Sequence, residues 1–341
     1  MAHWKRLVLA LGCCLLLIPA GAVQASVQKA LGGPLNLLLV GIDPRDDHTA
    51  PLADSIIVAH IPADRRTVYL FSIPRDLVTW IPAFPRAGSA GQRSKINAAM
   101  ALGSRIGNRR YDPAQGFRLL SRTVRKVTGI TRFDGGAVID FGGFKRLITA
   151  MGGVDMVIDQ DVVSEHHKPD GTSRDRLPAC PGHDDCHRPY IGPQKTYRKS
   201  DTPQHLSGWE ALDYARQRYG LPHVDYDRQR HQRQMLKALA TRMSSAVAAE
   251  PGRLPEIVRQ VEQTMTFVGG GHTMLDWATF LAVLNARDIT SISLHGMPLF
   301  EGGAYRGEQL DRRSTAFFAA VVQDRVPSYL QSRPGLLPDS R

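Results

Sequence analysis

Two carboxylates and a group of arginines carry the most chemically suggestive spacing in this chain. Gly41-Ile42-Asp43-Pro44-Arg45 follows an apolar run, and Asp54 opens the next one. Carboxylates at the ends of adjacent strands can converge on a hard divalent cation such as Mg2+ (or Mn2+). Such an ion takes one or two of them and completes its shell with phosphate oxygens and water. An Asp after a strand is also an ordinary turn residue, so the pair alone is compatible with either role. Phe71-Ser72-Ile73-Pro74-Arg75-Asp76 ends a third apolar run. Pro74 stops ladder bonding there and lets the following side chains turn towards a site. Arg75 and Asp76 alone would equally make a local salt bridge.

The third group lies in residues 211–234, which hold Arg216, Arg218, Arg228, Arg230 and Arg233 with few lysines beside them. Arg228 and Gln232 stand four apart and share one helix face. A basic run usually marks a solvated helix face. Here the arginines flank a loop with Gly220 and Pro222. The guanidinium is a planar fork that matches phosphate oxygens two at a time and stays charged when partly buried. Several arginines with a carboxylate pair are what chemistry at a pyrophosphate requires. A metal bridges the phosphates, and the arginines neutralise the leaving diphosphate.

The elements that must position these residues can be read from apolar periodicity. Strands are predicted at 35–40, 54–60 and 67–72, with a hairpin connection at 62–66, and further strands at 154–158 and 289–297. Helices are predicted at 94–106, 113–128, 141–151, 208–217, 225–249, 254–266, 274–286 and 314–329. Continuous apolar runs suit strands covered on both faces, as in a layered α/β domain. Residues 159–205 are polar and aperiodic, and read as a long surface insertion, either functional or mobile. Phe141, Phe144, Leu147, Ile148 and Met151 form an apolar helical stripe, for which core packing is favoured over lipid contact. No repeat appears, and no linker divides 35–330.

The 341 residues carry a net charge of +11, which points to anionic partners without choosing among them. Lys5 and Arg6 precede an apolar run from Leu7 to Val23. Residues 1–26 therefore read as a signal peptide, cut after Ala25, or as an N-terminal membrane anchor. Either would place the rest outside the cytoplasmic membrane, anchored or secreted. Cys180 and Cys186 sit in a polar loop and suggest a small disulfide; zinc binding with His183 and His187, or free thiols, are the alternatives.

Taken in order, the chain holds Gly41-x-Asp43-x-Arg45, Asp54, Ser72-Ile73-Pro74-Arg75-Asp76, Lys95-Ile96-Asn97-Ala98-Ala99 and Met151-Gly152-Gly153-Val154. Leu206-Ser207-Gly208-x-x-Ala211-Leu212, Arg216-x-Arg218 and Asp225-x-x-Arg228-x-x-x-Gln232 follow. This series resembles the LytR-CpsA-Psr family of cell-wall ligases over about 35–245, continuing to 325 as the rest of one domain. The resemblance implies an α/β fold, three-layer α-β-α with a central mixed sheet and an apolar pocket for a polyprenyl chain. It implies transfer of a glycopolymer phosphate, such as teichoic acid, from a polyprenyl-pyrophosphate carrier to peptidoglycan at the membrane.

On the same resemblance Asp43 and Asp54 match the metal-binding acids. Arg75, Arg216, Arg218 and Arg228 match the pyrophosphate-binding arginines, with Gln232 beside them. Arg45 and Lys95 are supporting positions, and Asp76 and Asp225 are candidates for the general base. Two positions depart from the family: Leu52 and His231 stand where arginine is frequent. One lost charge-assisted contact is worth about 1.5–3 kcal/mol. Three other functions fit parts of the pattern. A non-catalytic binder of wall polymer or polyprenyl pyrophosphate would keep the arginines without needing the metal. A hydrolase would put water in place of the sugar hydroxyl. A DNA-binding regulator fits the charge, but no helix-turn-helix stands out and the export segment would separate the domain from DNA. No nucleic-acid partner is expected.

Overall fold

The computed structural model describes residues 32–44, 46, 48–107, 110–176, 190–282, 284 and 288–337. Residues 1–26, read in the sequence as a signal peptide or anchor, Arg45, and the Cys180–Cys186 loop lie outside the described residues.

The chain begins with β1 (Leu35–Ile42), β2 (Ala53–Ile61) and β3 (Val68–Ser72), an antiparallel run. A short hairpin, β4 (Val78–Ile81) and β5 (Gln92–Lys95), precedes α1 (Ala98–Ser104) and α2 (Pro113–Thr128). Then come β6 (Gly135–Asp140), α3 (Phe141–Ala150) and β7 (Val154–Met156). Four two-residue strands follow in the polar stretch: β8 (Val162–Val163), β9 (Asp175–Arg176), β10 (Tyr190–Ile191) and β11 (Thr196–Tyr197). β12 (Gln204–Leu206) returns to pair with β7 and leads into α4 (Gly208–Arg216) and the long α5 (Asp225–Ala249). The rest is α6 (Leu254–Glu262), β13 (Thr266–Val268), α7 (Met274–Ala282), β14 (Ile289–Ile292), the hairpin β15 (Gly296–Glu301) and β16 (Ala304–Leu310), α8 (Arg312–Val322) and α9 (Val326–Ser332).

Six strands form one sheet in the order β13-β6-β1-β2-β3-β14. β6 joins β1, and β14 joins β3, in parallel; the other pairs are antiparallel. Side-chain alternation along the strands gives the sheet two apolar faces. Leu38, Val40, Ile56, Val58 and Phe71 point to one face, where Phe117 and Leu120 of α2 and Phe317 and Phe318 of α8 cover them. On the opposite face, Leu35 and Ile61 pack on Trp277 and Phe280 of α7, and Ala59 and Leu70 on Leu236 and Ala240 of α5. Helices therefore lie on both faces, giving the three-layer α-β-α arrangement expected from the motifs.

A second core joins α3, α4, α5 and α6 through Leu147, Ile148, Tyr214, Met235 and Ile257. The apolar stripe of α3 packs there through Leu147 and Ile148, with Phe144 and Met151 against its margin. Among the described residues no helix is long and apolar enough to cross a membrane.

Several boundaries differ from those read in the sequence. Residues 94–95 pair as a strand with β4, so the first helix starts only at Ala98. The helix predicted at 254–266 stops at Glu262, because Thr266–Val268 forms the sheet edge beside β6. The final helix is two, separated at Asp324, which sits at φ 51. β6 carries no periodic apolar signal, because Gly135 and Gly136 open it. Gly136 is required by close approach: a Cβ there would lie 2.2 Å from the Leu38 carbonyl oxygen and 2.7 Å from the Phe117 ring.

Candidate functional site

The site assembles where strands end. β1 stops at Ile42 and releases Asp43, and the antiparallel β2 starts at Ala53, so Asp54 enters at the same edge of the sheet. β3 stops at Ser72 beside Ile57, and Pro74 turns Arg75 towards Asp54. β6 ends at Asp140 opposite Ile42 and delivers Phe141 to that edge. The crevice outside strand ends is the usual ligand position in open α/β sheets. Arg216 arrives from the last residue of α4, Arg218 from the loop after it, and Arg228 from the first turns of α5.

These side chains line one cavity of about 660 Å3: Asp43, Asp54, Arg75, Arg216, Arg218 and Arg228, with Phe141 and Tyr219. Arg75 hydrogen-bonds Asp54, and its Nε lies 3.7 Å from Asp225 Oδ1. Burial disfavours its charge, but Asp225, Asp54 and Asp76 outweigh that and raise its pKa. Arg228 is only 7% exposed. Its Nη2 donates to the Asp54 carbonyl at 2.9 Å and lies 2.8 Å from Asp225 Oδ1. Burial, which dominates over the nearby acids, lowers its pKa below that of an ordinary guanidinium.

Arg216 and Arg218 are held differently. The Arg216 guanidinium stacks 4.2 Å above the Phe141 ring. Arg218 stacks 4.7 Å from the Tyr219 ring and donates to its hydroxyl at 2.8 Å. An aromatic face holds a cation without occupying its hydrogen-bond donors. Two arginines are thus locked by carboxylate and carbonyl oxygens, and two keep most of their donors for a ligand.

Of the other sequence-derived positions, Asp225, Gln232, Asp76, Lys95 and His231 do not line this cavity. Asp225 bridges Arg75 and Arg228 from behind. Gln232 accepts from Ser55 Oγ at 2.8 Å and donates to the Ala215 carbonyl at 3.3 Å, tying α5 to β2 and to the end of α4. Asp76 pairs with Lys95 at 3.0 Å, and Lys95 Nζ lies 5.2 Å from the Tyr305 ring. Leu52 lines the cavity and is 45% exposed. His231 is buried, stacked on Tyr214 at 4.5 Å, with Nε2 3.2 Å from Gln160 Nε2.

Sequence reasoning missed Glu165, His166, Arg176 and Tyr190, which wall the cavity from the polar stretch 159–205. That stretch packs into the domain through the fully buried carboxylate of Asp213 in α4. Asp213 accepts from Ser164 Oγ (3.0 Å), Tyr197 Oη (2.8 Å) and Gln217 Nε2 (2.7 Å), and meets His167 Nδ1 at 2.8 Å. Burial first, then the Arg216 charge, push His166 from 6.5 down to about 4, so its ring is neutral near pH 7. Long aperiodic loops in compact domains tend to carry function. That was the available signal, and it does not say which residues reach the cavity.

As a metal site, the donor set is small. Among the described residues no three His, Cys, Asp or Glu side chains converge for an ion. Asp43 and Asp54 are two hard oxygen donors lining the cavity that also holds five arginines. This composition fits a hard cation that keeps waters and borrows ligand phosphate oxygens, and does not fit a soft or tetrahedral site.

The model of the LytR_cpsA_psr family matches residues 20–315. The polyisoprenyl-teichoic acid–peptidoglycan teichoic acid transferase TagV of Bacillus subtilis is 30% identical over 216 residues, covering 62% of this chain and 44% of that protein. The TagU transferase of Bacillus cereus is 26% identical over 219 residues, 64% of this chain and 55% of its own length. The chain spans about half the length of these curated relatives. Among solved structures, Bacillus subtilis TagV aligns with a TM-score of 0.60 at 24% identity, covering 86% of this chain and 98% of that one. The protein gbs0355 of Streptococcus agalactiae aligns with a TM-score of 0.63 at 19% identity, covering 90% and 91%. Both structural likenesses speak to the fold.

Proposed function

This chain belongs to the LytR-CpsA-Psr family, and from that premise we propose that it transfers a glycopolymer phosphate from a polyprenyl-pyrophosphate carrier to a peptidoglycan hydroxyl. The observation that carries the proposal is the single cavity shared by Asp43, Asp54, Arg75, Arg216, Arg218 and Arg228. A pyrophosphate is small, dianionic or more, and dense in acceptor oxygens. Guanidinium groups converging from three parts of the chain suit it better than they suit a neutral sugar.

In the proposed reaction the acceptor hydroxyl oxygen bonds to the glycopolymer-linked phosphorus. The bond from that phosphorus to the bridging oxygen breaks, polyprenyl phosphate leaves, and the hydroxyl proton passes to a base. Arg216 and Arg218 take non-bridging oxygens with the donors their aromatic supports leave open. Arg75 and Arg228, fixed by Asp54 and Asp225, stabilise charge on the leaving phosphate without reorganising. Asp43 and Asp54 would hold Mg2+ or Mn2+, which when bound would add further neutralisation of the diphosphate. The reaction belongs on the outer side of the cytoplasmic membrane, with residues 1–26 as anchor or cleaved signal. Lipid-linked donor and peptidoglycan acceptor meet there.

The test is a transfer assay with the full chain in detergent, a polyprenyl-pyrophosphate oligosaccharide donor and a peptidoglycan oligomer acceptor. The expected product is phosphodiester-linked, and it disappears with chelator and with Arg216→Ala. Tight donor binding without product, where an active relative succeeds, would replace the transferase by a non-catalytic polymer-binding protein. Phosphate release without acceptor would make it a hydrolase.

A further inference from the structure

A second cavity, of about 290 Å3, opens on the other side of the first turns of α5. His223, Tyr226, Arg230, Arg233, Ser293 and Leu294 are among its walls, and it shares no lining residue with the first. The residue that sets it apart is Arg233. Its side chain is 3% exposed, yet it makes no ion pair among the described residues. Nη1 donates to Ser72 Oγ at 2.9 Å, Nη2 reaches Ser293 Oγ at 3.4 Å, and Nε has no partner.

Its neighbours do not compensate it. Arg230, the one charged group acting on it, is itself a cation, engaged by Asp159 (2.8 Å) and Asp227 (2.5 Å). Asp227 also borders the cavity, but its other oxygen accepts the His223 backbone N–H at 2.8 Å. Burial, and then Arg230, lower the Arg233 pKa to about 9. A guanidinium removed from water normally brings a carboxylate or phosphate with it, because desolvation is otherwise uncompensated. Here the missing partner would sit in the open space that Arg233 and Ser293 line, with Ser72 holding Nη1 from the buried side.

We propose that this second cavity is a phosphate-binding site, in which Arg233, held from behind by Ser72, turns its guanidinium onto the anion and the Ser293 hydroxyl adds a further donor. Several donors from different directions suit a tetrahedral anion better than a planar carboxylate. The volume admits a phosphate or one phosphorylated sugar unit, near the lower end of ordinary ligand pockets of about 300–1,000 Å3. Free phosphate and a phosphodiester in a polymer backbone are the two sources. The proposal stands apart from the transfer reaction, since the two cavities share no lining residue.

The experiment uses the full chain with Arg216→Ala and Arg218→Ala, which weakens the first cavity. Inorganic phosphate and dimethyl phosphate are titrated by calorimetry. Phosphate binding is expected, and Arg233→Gln should weaken it about tenfold or more. Ser293→Asp is the companion variant, placing a carboxylate against Arg233 in the anion's stead. It should keep or raise the melting temperature while abolishing phosphate binding. Dimethyl phosphate binding as well as inorganic phosphate points to a polymer diester; inorganic phosphate alone points to the free ion. Absence of phosphate binding, or binding indifferent to Ser293→Asp, overturns the proposal.

Discussion

At Arg228 a single guanidinium joins the backbone of Asp54 to the carboxylate of Asp225, so geometry matters there as much as charge. Arg228→Lys keeps the charge but loses the fork. Transfer should fall by about 10–100-fold with the melting temperature nearly unchanged, read from initial rates and a thermal scan. His166 offers a pH test. Its pKa in the fold is about 4 against an ordinary 6.5, so the unfolded chain takes up the proton first as pH falls. The stability from keeping His166 neutral is complete above pH 6.5 and lost between 6.5 and 4. Allowing for solvent screening, that is about 1–2 kcal/mol. Urea unfolding at pH 7 and pH 4.5 should show it, and His166→Gln should shrink the difference. Asp159, lowered below 3.8, acts in the same direction at lower pH. Asp43, Asp54, Arg75, Arg216, Arg218 and Arg228 were legible because each lies at or near an element end in an ordered series. Arg176 and His166 were not, since their approach depends on tertiary contacts through Asp213.

The elements show the same division. The helix at 113–128 was readable to the residue because its ends are chemically marked. Asp112 caps it, accepting from Ala114 N at 2.8 Å and Gln115 N at 3.3 Å, Pro113 opens it, and Gly129 at φ 75 closes it. Asp112→Ala should cost about 1 kcal/mol in denaturant unfolding. Gly116→Ala should cost more, about 1–3 kcal/mol, although alanine favours helix. Its Cβ would lie 2.1 Å from Ser104 Oγ and 2.7 Å from the Met100 carbonyl, where α1 crosses α2. β6 was illegible for the opposite reason: its glycines are demanded by neighbours that sequence alone does not bring together. Asp213→Asn keeps the shape but removes the charge that His167, Ser164, Tyr197 and Gln217 surround. Limited proteolysis should then cut within 159–205 while the six-stranded sheet stays protected in hydrogen exchange.

For the whole molecule, the net charge of +11 and the cluster of arginines set how an anionic donor arrives. Its association rate should fall steeply between low and physiological salt, because exposed charges farther apart than about 8–10 Å are screened. Stopped-flow fluorescence with a labelled polyprenyl-pyrophosphate analogue would measure this, and a flat response would place recognition in the apolar chain. The α/β class and the layering were visible from unbroken apolar runs. Strand order was not, because three of the pairings join segments far apart in the chain.

One of those pairings governs how the protein is made. β3, the run Val68–Ser72, is covered on one side by β2 at once, but its other side waits for Ile289–Ile292. Throughout most of elongation a Val-Tyr-Leu-Phe-Ser edge offers unpaired backbone to any similar segment. Parallel closure over such a span is slow and competes with self-association. Chains truncated before residue 289 should accumulate as insoluble aggregates rather than as partly active domains, and full-length yield should depend on whatever shields that edge during synthesis.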